Sequence, residues 1–311
     1  MRVRTSVLPV PRTPFTRALS VASGGVLLGA LLLCGGPARA EPADAPLPQG
    51  TTPQEAPSRS ATPLSATYEI YFGGFHVLTA DAQWERGAAG YRITGEAETR
   101  GMIGWLHPWK GNTETRGRVA DGKIVPQHHE NHGTSDEGEK LVLLSYDPDG
   151  DLTDSLVQPE QDWEDRHPLP ADAGEGTLDP LSVVAGLSEV LQAGGRCEGS
   201  FPVFDGRKRY DLTISDAGEK VLEPTGYSIF AGKARGCRLD YELLGGHRIE
   251  RSKYAKTARE RIVWIARPHE RAPLIPVRLE IETAYGTVMG HLTGFAEGTK
   301  VAQKAADRLA D

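Results

Sequence analysis

Short segments in which apolar and polar residues alternate recur along most of this chain, and turn dipeptides separate them. The segment Thr67–Tyr71, TYEIY, shows the alternation. The turn dipeptides include Asp121-Gly122, Asp149-Gly150, Asp205-Gly206 and Gly245-Gly246. A period of two places alternate side chains on opposite faces of a strand. The pattern predicts an all-β domain of roughly a dozen strands, arranged as one large, strongly curved antiparallel sheet or open barrel.

One segment, residues 179–193, departs from this pattern and predicts an amphipathic helix. Asp179 is a good N-cap, Pro180 suits the first helical position, and Gly194-Gly195 ends the segment. Its apolar stripe consists of Leu181, Val184, Ala185, Leu187, Val190 and Leu191. Such a stripe must be buried, so we expect the sheet to wrap around this helix.

The first forty residues have the organisation of a secretory signal peptide. Arginines precede an apolar run at residues 26–33, and Ala38-Arg39-Ala40 provides a small-residue cleavage site. We predict cleavage after Ala40. Residues 41–62 are rich in proline and small polar residues and predict a disordered linker. The folded domain is expected to cover residues 63–297, and residues 298–311 form a tail.

Cleavage would also change the charge and the cysteine count of the chain. The leader holds five arginines and no acidic residue, so the net charge falls from −7 to −12. This charge argues against a nucleic-acid partner. Cys34 leaves with the leader, and the remaining pair, Cys197 and Cys237, predicts a disulfide in an oxidising compartment. The mature chain has no second apolar span that could cross a membrane.

The stretch QHHENH, residues 127–132, raises the question of a metal site. The zinc motif H-E-x-x-H does not occur, because His129 and His132 are one position too close. On a strand, His128, Glu130 and His132 would share one face. That face could hold a metal or be an ordinary polar surface, and we favour the polar surface. We therefore predict no metal site.

Motifs that would identify an enzyme are missing from the sequence. It contains no G-x-S-x-G, G-x-x-x-x-G-K-[ST] or G-x-G-x-x-G pattern, so neither a nucleophile elbow nor a nucleotide-binding loop is indicated. We predict a protein without catalytic residues and without a cofactor.

Three motifs resemble those of a known family. They are Leu178–Ser182 (LDPLS), Pro202–Tyr210 (PVFDGRKRY) and Ile275–Leu279 (IPVRL). In this order the chain resembles domain-of-unknown-function family 3108, exported proteins of Gram-negative bacteria, over roughly residues 64–296. The resemblance implies a periplasmic location and a curved sheet on a helix, similar to periplasmic lipoprotein carriers. It implies no catalytic residues.

Residues 101–109 (GMIGWLHPW) combine large apolar side chains with glycines and a proline. We expect either an apolar lid at the mouth of the sheet or ordinary packing on the core. We predict a groove lined by Ile103, Trp105, Leu106 and Trp109 together with Leu187 and Leu191 of the helix. The expected function is binding or carriage of an apolar or lipid-like envelope molecule. The alternative is a non-enzymatic envelope protein that acts through protein contacts.

Overall fold

One antiparallel sheet accounts for most of the described chain. The computed structural model describes residues 63–87, 90–249, 260–283 and 285–298, so the predicted leader, linker and residues 299–311 of the tail lie outside it. The all-β prediction is confirmed, with 13 strands in a single sheet over these described ranges. The strands are β1 Leu64–Phe72, β2 Phe75–Gly87, β3 Gly90–Thr99, β4 Trp109–Ala120, β5 Lys123–Ser135, β6 Gly138–Tyr146, β7 Leu152–Gln158, β8 Gly199–Phe204, β9 Arg209–Leu222, β10 Gly232–Gly245, β11 Arg261–Ala266, β12 Ile275–Thr283 and β13 Gly286–Glu297.

The strand order shows that the sheet is open. It runs β7-β6-β5-β4-β3-β2-β1-β13-β12-β11-β10-β9-β8, and β1 pairs with β13 at its centre. The edge strands β7 and β8 follow one another in the chain, and residues 159–198 connect them. Antiparallel neighbours joined by short connections explain the strong alternation in the sequence.

Curvature brings the two edges of the sheet close together. Phe204 of β8 lies in one apolar cluster with Val142 and Leu144 of β6, together with Leu169 and Ala173 of the connection. The connecting residues 159–178, which we call the strap, therefore fill the space between the edges. The strap also covers the edge of β8 where Leu178 N–H donates to the Pro202 carbonyl at 2.9 Å.

A helix, α2, occupies the concave face of this sheet. It spans Pro180–Gln192, and the Asp179 side chain accepts hydrogen bonds from the backbone of Leu181 and Ser182, as a helix N-cap does. Leu181 and Ala185 pack against Tyr91 and Ile93 of β3. On its other side, Val183, Leu187 and Leu191 pack with Val203, Leu212, Val263 and further residues of β8–β11. The helix therefore holds together two halves of the curved sheet.

A second, shorter helix differs from the irregular lid that the sequence suggested. Helix α1 spans Gly101–Leu106, and Trp109 is the first residue of β4. At its ends, Gly104 N–H donates to Arg100 O at 2.9 Å and His107 N–H donates to Ile103 O at 2.7 Å. Because glycine has a low helix propensity, two glycines among six residues make this helix difficult to predict from the sequence. Within the described residues, no helix combines the length and apolar character that a transmembrane span requires.

The turn predicted at Asp121-Gly122 is present and joins β4 to β5. Both residues have positive φ, 52° and 75°. Two successive positive φ values are typical of the tight hairpin turn whose twist matches that of its strands. The dipeptide therefore sets the register of β4 and β5 as far as Gly117 and Pro126, where a bulge shifts it before the histidines.

Candidate functional site

The six residues predicted to line a groove lie in different environments. Leu187 and Leu191 are buried among β8–β11. Trp109 packs half-buried against a separate cluster that includes residues of β1–β3. Ile103 is half-buried, whereas Trp105 and Leu106 are exposed. The structure separates the α2 residues from residues 103–109 because α2 lies on the concave face, while α1 contacts β2 and β3.

The described residues with the largest apolar exposure gather instead at one end of the sheet. Trp105 is 81% exposed, Tyr285 70%, Phe75 69% and Met102 63%, and Leu106 of the same helix is also exposed. We call these five residues the apolar rim. Several large apolar side chains exposed at the same end of a sheet are unusual in a protein that works alone in water and point to a binding surface.

Close backbone contacts fix α1 on the sheet with its large side chains outwards. A Cβ at Gly101 or Gly104 would lie 2.7 Å from the carbonyl oxygen of His76 or Thr99, respectively, so only glycine permits this approach. Trp109 N–H donates to Thr99 Oγ1 at 2.9 Å. Met102, Trp105 and Leu106 of the rim are exposed on this helix.

A buried polar network joins the start of α2 to β3, β4 and β5. Thr115 Oγ1 donates to Asp179 Oδ1 at 2.8 Å and lies 2.7 Å from His129 Nδ1, which is itself 3.3 Å from Asp179 Oδ1. Ser182 Oγ donates to Asp179 Oδ2. The Tyr91 hydroxyl lies 2.8 Å from Ser182 Oγ. Since the Thr115 proton points to Asp179, Thr115 accepts from His129, whose Nδ1 therefore carries a hydrogen.

Burial and charge shape the ionisation of this network. Burial alone would raise the pKa of Asp179, but attraction to His129 and hydrogen bonds from His129 and Ser182 hold that pKa below its usual value. Burial and the nearby Asp179 charge raise the pKa of Tyr91 and of Tyr146. The site thus holds one carboxylate among neutral phenols.

Residue types in this network suggest catalysis, but its burial does not. Thr115, Asp179 and Ser182 have no exposed surface and His129 is 1% exposed. A substrate could not reach any of these groups without opening the core. The arrangement instead satisfies the buried N-terminus of α2 and attaches the helix to the sheet.

The remaining histidines of residues 127–132 lie on the opposite face of β5. As the strand period predicts, His128, Glu130 and His132 share a half-exposed face. His128 Nε2 is 3.9 Å from Glu130 Oε2, and His132 Nε2 is 3.8 Å from Glu139 Oε2. Among the described residues, no group of three or more His, Cys, Asp or Glu side chains is arranged to hold a metal ion.

A disulfide joins Cys197 and Cys237, as the cysteine count predicted. The two Cα atoms are 5.2 Å apart, and 40 positions separate the residues in the chain. Both cysteines are fully buried in the cluster that contains Leu187 and Leu191 of α2. The bond therefore attaches the segment after α2 to the middle of β10.

Comparison with known proteins places the chain in a family. The profile described as "Protein of unknown function (DUF3108)" matches residues 67–293. The chain belongs to the DUF3108 family. The crystal structure of a beta-barrel-like protein of domain of unknown function DUF1849 from Brucella abortus is similar over 76% of this chain and 98% of that chain, with 14% identity and a TM-score of 0.47. A comparison with curated proteins found no match.

The buried network of this DUF3108 protein was missed by sequence reasoning. Asp179 was recognised only as an N-cap, and His129 only as part of a histidine cluster. One signal was available, because the alternation that turns His128 and Glu130 outwards turns His129 inwards. The DUF3108 match includes both partners, Asp179 and His129.

Proposed function

We propose that the protein is a periplasmic, non-enzymatic binding or carrier protein for an apolar or lipid-like molecule of the cell envelope. The observation that supports this function is the apolar rim, above all Met102, Trp105 and Leu106 on helix α1. These side chains are exposed on a helix whose backbone lies directly against neighbouring backbone, so they are available to a ligand without rearrangement of the core.

The free energy of apolar burial makes this rim a plausible binding surface. Covering one large apolar side chain contributes roughly 1.5–3 kcal/mol. Three such side chains on one short helix could bind a lipid chain with useful affinity, even after the cost of immobilising the ligand. The exposed site differs from the internal groove expected from the sequence, because α2 fills the concave face.

The filled concave face favours a second candidate function. Leu187 and Leu191 are buried by the protein's own strands rather than left to line a cavity. A protein that acts through contacts with another envelope protein needs no internal ligand space. In that function the apolar rim would be the contact surface.

Probe binding tests the proposed function directly. We expect an apolar fluorescent fatty-acid probe to bind saturably and quench tryptophan emission, and Trp105→Ser to weaken binding about tenfold. Trp163→Ser is the matched control, since Trp163 is also an exposed tryptophan, at 41%, but belongs to the strap. Folded protein without saturable probe binding would replace the carrier function with the protein-contact function.

Export is tested separately by fractionation and mass measurement. We expect the protein in the periplasmic fraction with Glu41 as its first residue, because cleavage should follow Ala40. An intact leader in the cytoplasmic fraction would contradict this location.

A further inference from the structure

The apolar rim extends beyond helix α1 along one end of the sheet. Strands β4, β3, β2, β1, β13 and β12 are consecutive neighbours. Three of their connections lie at the same end, as shown by the pairing of Leu78 with Thr99, of Phe72 with Val288 and of Thr283 with Gly286. Each of these connections carries at least one of the four most exposed large apolar side chains among the described residues.

The spacing of these connections determines what the rim can contact. Neighbouring strands lie about 4.8 Å apart, so successive hairpins lie about 10 Å apart. Tyr285, Phe75 and Trp105 are therefore distributed along a line of about 20 Å. A single small ligand at α1 would not reach Tyr285, whereas an extended surface would meet all three side chains.

The composition of the rim fits the interfacial region of a lipid bilayer. Helix α1 contains no charged residue. Exposed His107 and Lys110 follow it and exposed Glu282 precedes Tyr285, so charge by itself does not select the bilayer. Tryptophan and tyrosine are the side chains that prefer this interface, because their rings are amphipathic.

We propose that the apolar rim docks the protein on a phospholipid bilayer, with Trp105, Phe75 and Tyr285 entering the interfacial region together. This inference rests on the proposed function. The protein would take its apolar ligand from this bilayer or deliver the ligand to it. In this orientation one end of the strands contacts the membrane, and the opposite end remains in water.

Vesicle flotation of the mature chain tests the proposal. With vesicles of phosphatidylethanolamine and phosphatidylglycerol, we expect the protein to float with the lipid. Trp105→Ser and Tyr285→Ser should each lower the partition coefficient about tenfold. Val221→Ser is the control, because Val221 is 55% exposed and lies near the last residue of β9, away from the rim. The partition coefficient of this variant should equal that of the native chain. All three substitutions are at exposed positions, and thermal unfolding verifies that the variants fold.

The outcomes separate this proposal from the proposed function. Loss of flotation in both rim variants, but not in the Val221 variant, supports docking. Loss in Trp105→Ser alone overturns it in favour of a local site on α1. No flotation together with saturable binding of the fatty-acid probe overturns docking and leaves the binding function intact. If the folded protein neither floats with the vesicles nor binds the fatty-acid probe saturably, both proposals are overturned.

Discussion

At the residue scale, Asp179 has the most connections of any residue in the described core polar network. Its carboxylate caps α2, accepts from Thr115 and Ser182, and lies beside His129. A buried carboxylate is costly to desolvate, and these partners offset that cost. Removing it therefore leaves the helix N-terminus and a buried imidazole without their acceptor.

We expect Asp179→Ala to lower the free energy of unfolding by about 3–5 kcal/mol, because it breaks a buried pair and removes an N-cap. Urea denaturation monitored by circular dichroism measures the change. Asp154→Ala is the control, since Asp154 is exposed on β7 and should change stability by less than about 0.5 kcal/mol. Equal effects in the two variants would contradict the role assigned to Asp179.

The lowered pKa of Asp179 predicts a loss of stability in acid. The pKa of an aspartate in an unfolded chain is about 3.9, and that of Asp179 in the folded chain lies below its usual value. The unfolded state therefore takes up the proton first. The stabilising contribution is complete above about pH 4–5 and disappears as the pH falls through the folded pKa. Unfolding free energies measured from pH 6 to pH 2 should fall more steeply for the native chain than for Asp179→Asn.

At the element scale, backbone contacts attach the strap to the segment that follows β10. His167 N–H donates to His247 O at 2.9 Å, and Gly246 N–H donates to His167 O at 2.9 Å. The Gly246 backbone passes so near the Arg207 carbonyl that a Cβ there would overlap it, and its φ is +77°. Positive φ and a backbone clash both require glycine here.

We expect Gly246→Ala to destabilise the protein by more than about 2 kcal/mol, since the clash adds to the cost of positive φ. Gly74→Ala is a matched control, because Gly74 has a φ of +85° but nothing within 4 Å of its Cβ position. That variant should lose only about 1 kcal/mol. Thermal unfolding of both variants gives the difference, and equal losses would show that the close approach of Gly246 to the Arg207 carbonyl contributes nothing.

At the scale of the whole molecule, one helix, one strap and one disulfide hold an open sheet in its curved form. Helix α2 packs on both β3 and β8–β11. The disulfide attaches the segment after the helix to β10. Each connects parts of the chain that the antiparallel hairpins alone would leave apart.

The disulfide should therefore contribute strongly to overall stability. For a loop of 40 residues, the chain-entropy relation gives a loss of about 4 kcal/mol when Cys197 and Cys237 are both replaced by alanine. Urea denaturation measures the loss. A reducing agent should destabilise the native chain and leave the double variant unchanged. Titration of the unfolded, unreduced chain should detect no free thiol in the mature protein.

Local patterns in the sequence determined the fold class, the β4–β5 turn, the start of α2 and the pairing of the cysteines. A period of two, an N-cap followed by proline, and an Asp-Gly dipeptide act over a few neighbouring residues, so they can be recognised without the fold. The sequence also indicated which face of β5 carries His128 and His132.

Tertiary structure alone decided which distant residues meet. Thr115 and His129 face each other directly across the β4–β5 hairpin, but only the packing of α2 against these strands brings Asp179 within hydrogen-bonding distance. Leu187 and Leu191 are core residues because α2 packs on β8–β11, and Trp105 is exposed on α1. Packing of the whole chain sets these positions because burial depends on what faces each side chain, which no local period specifies.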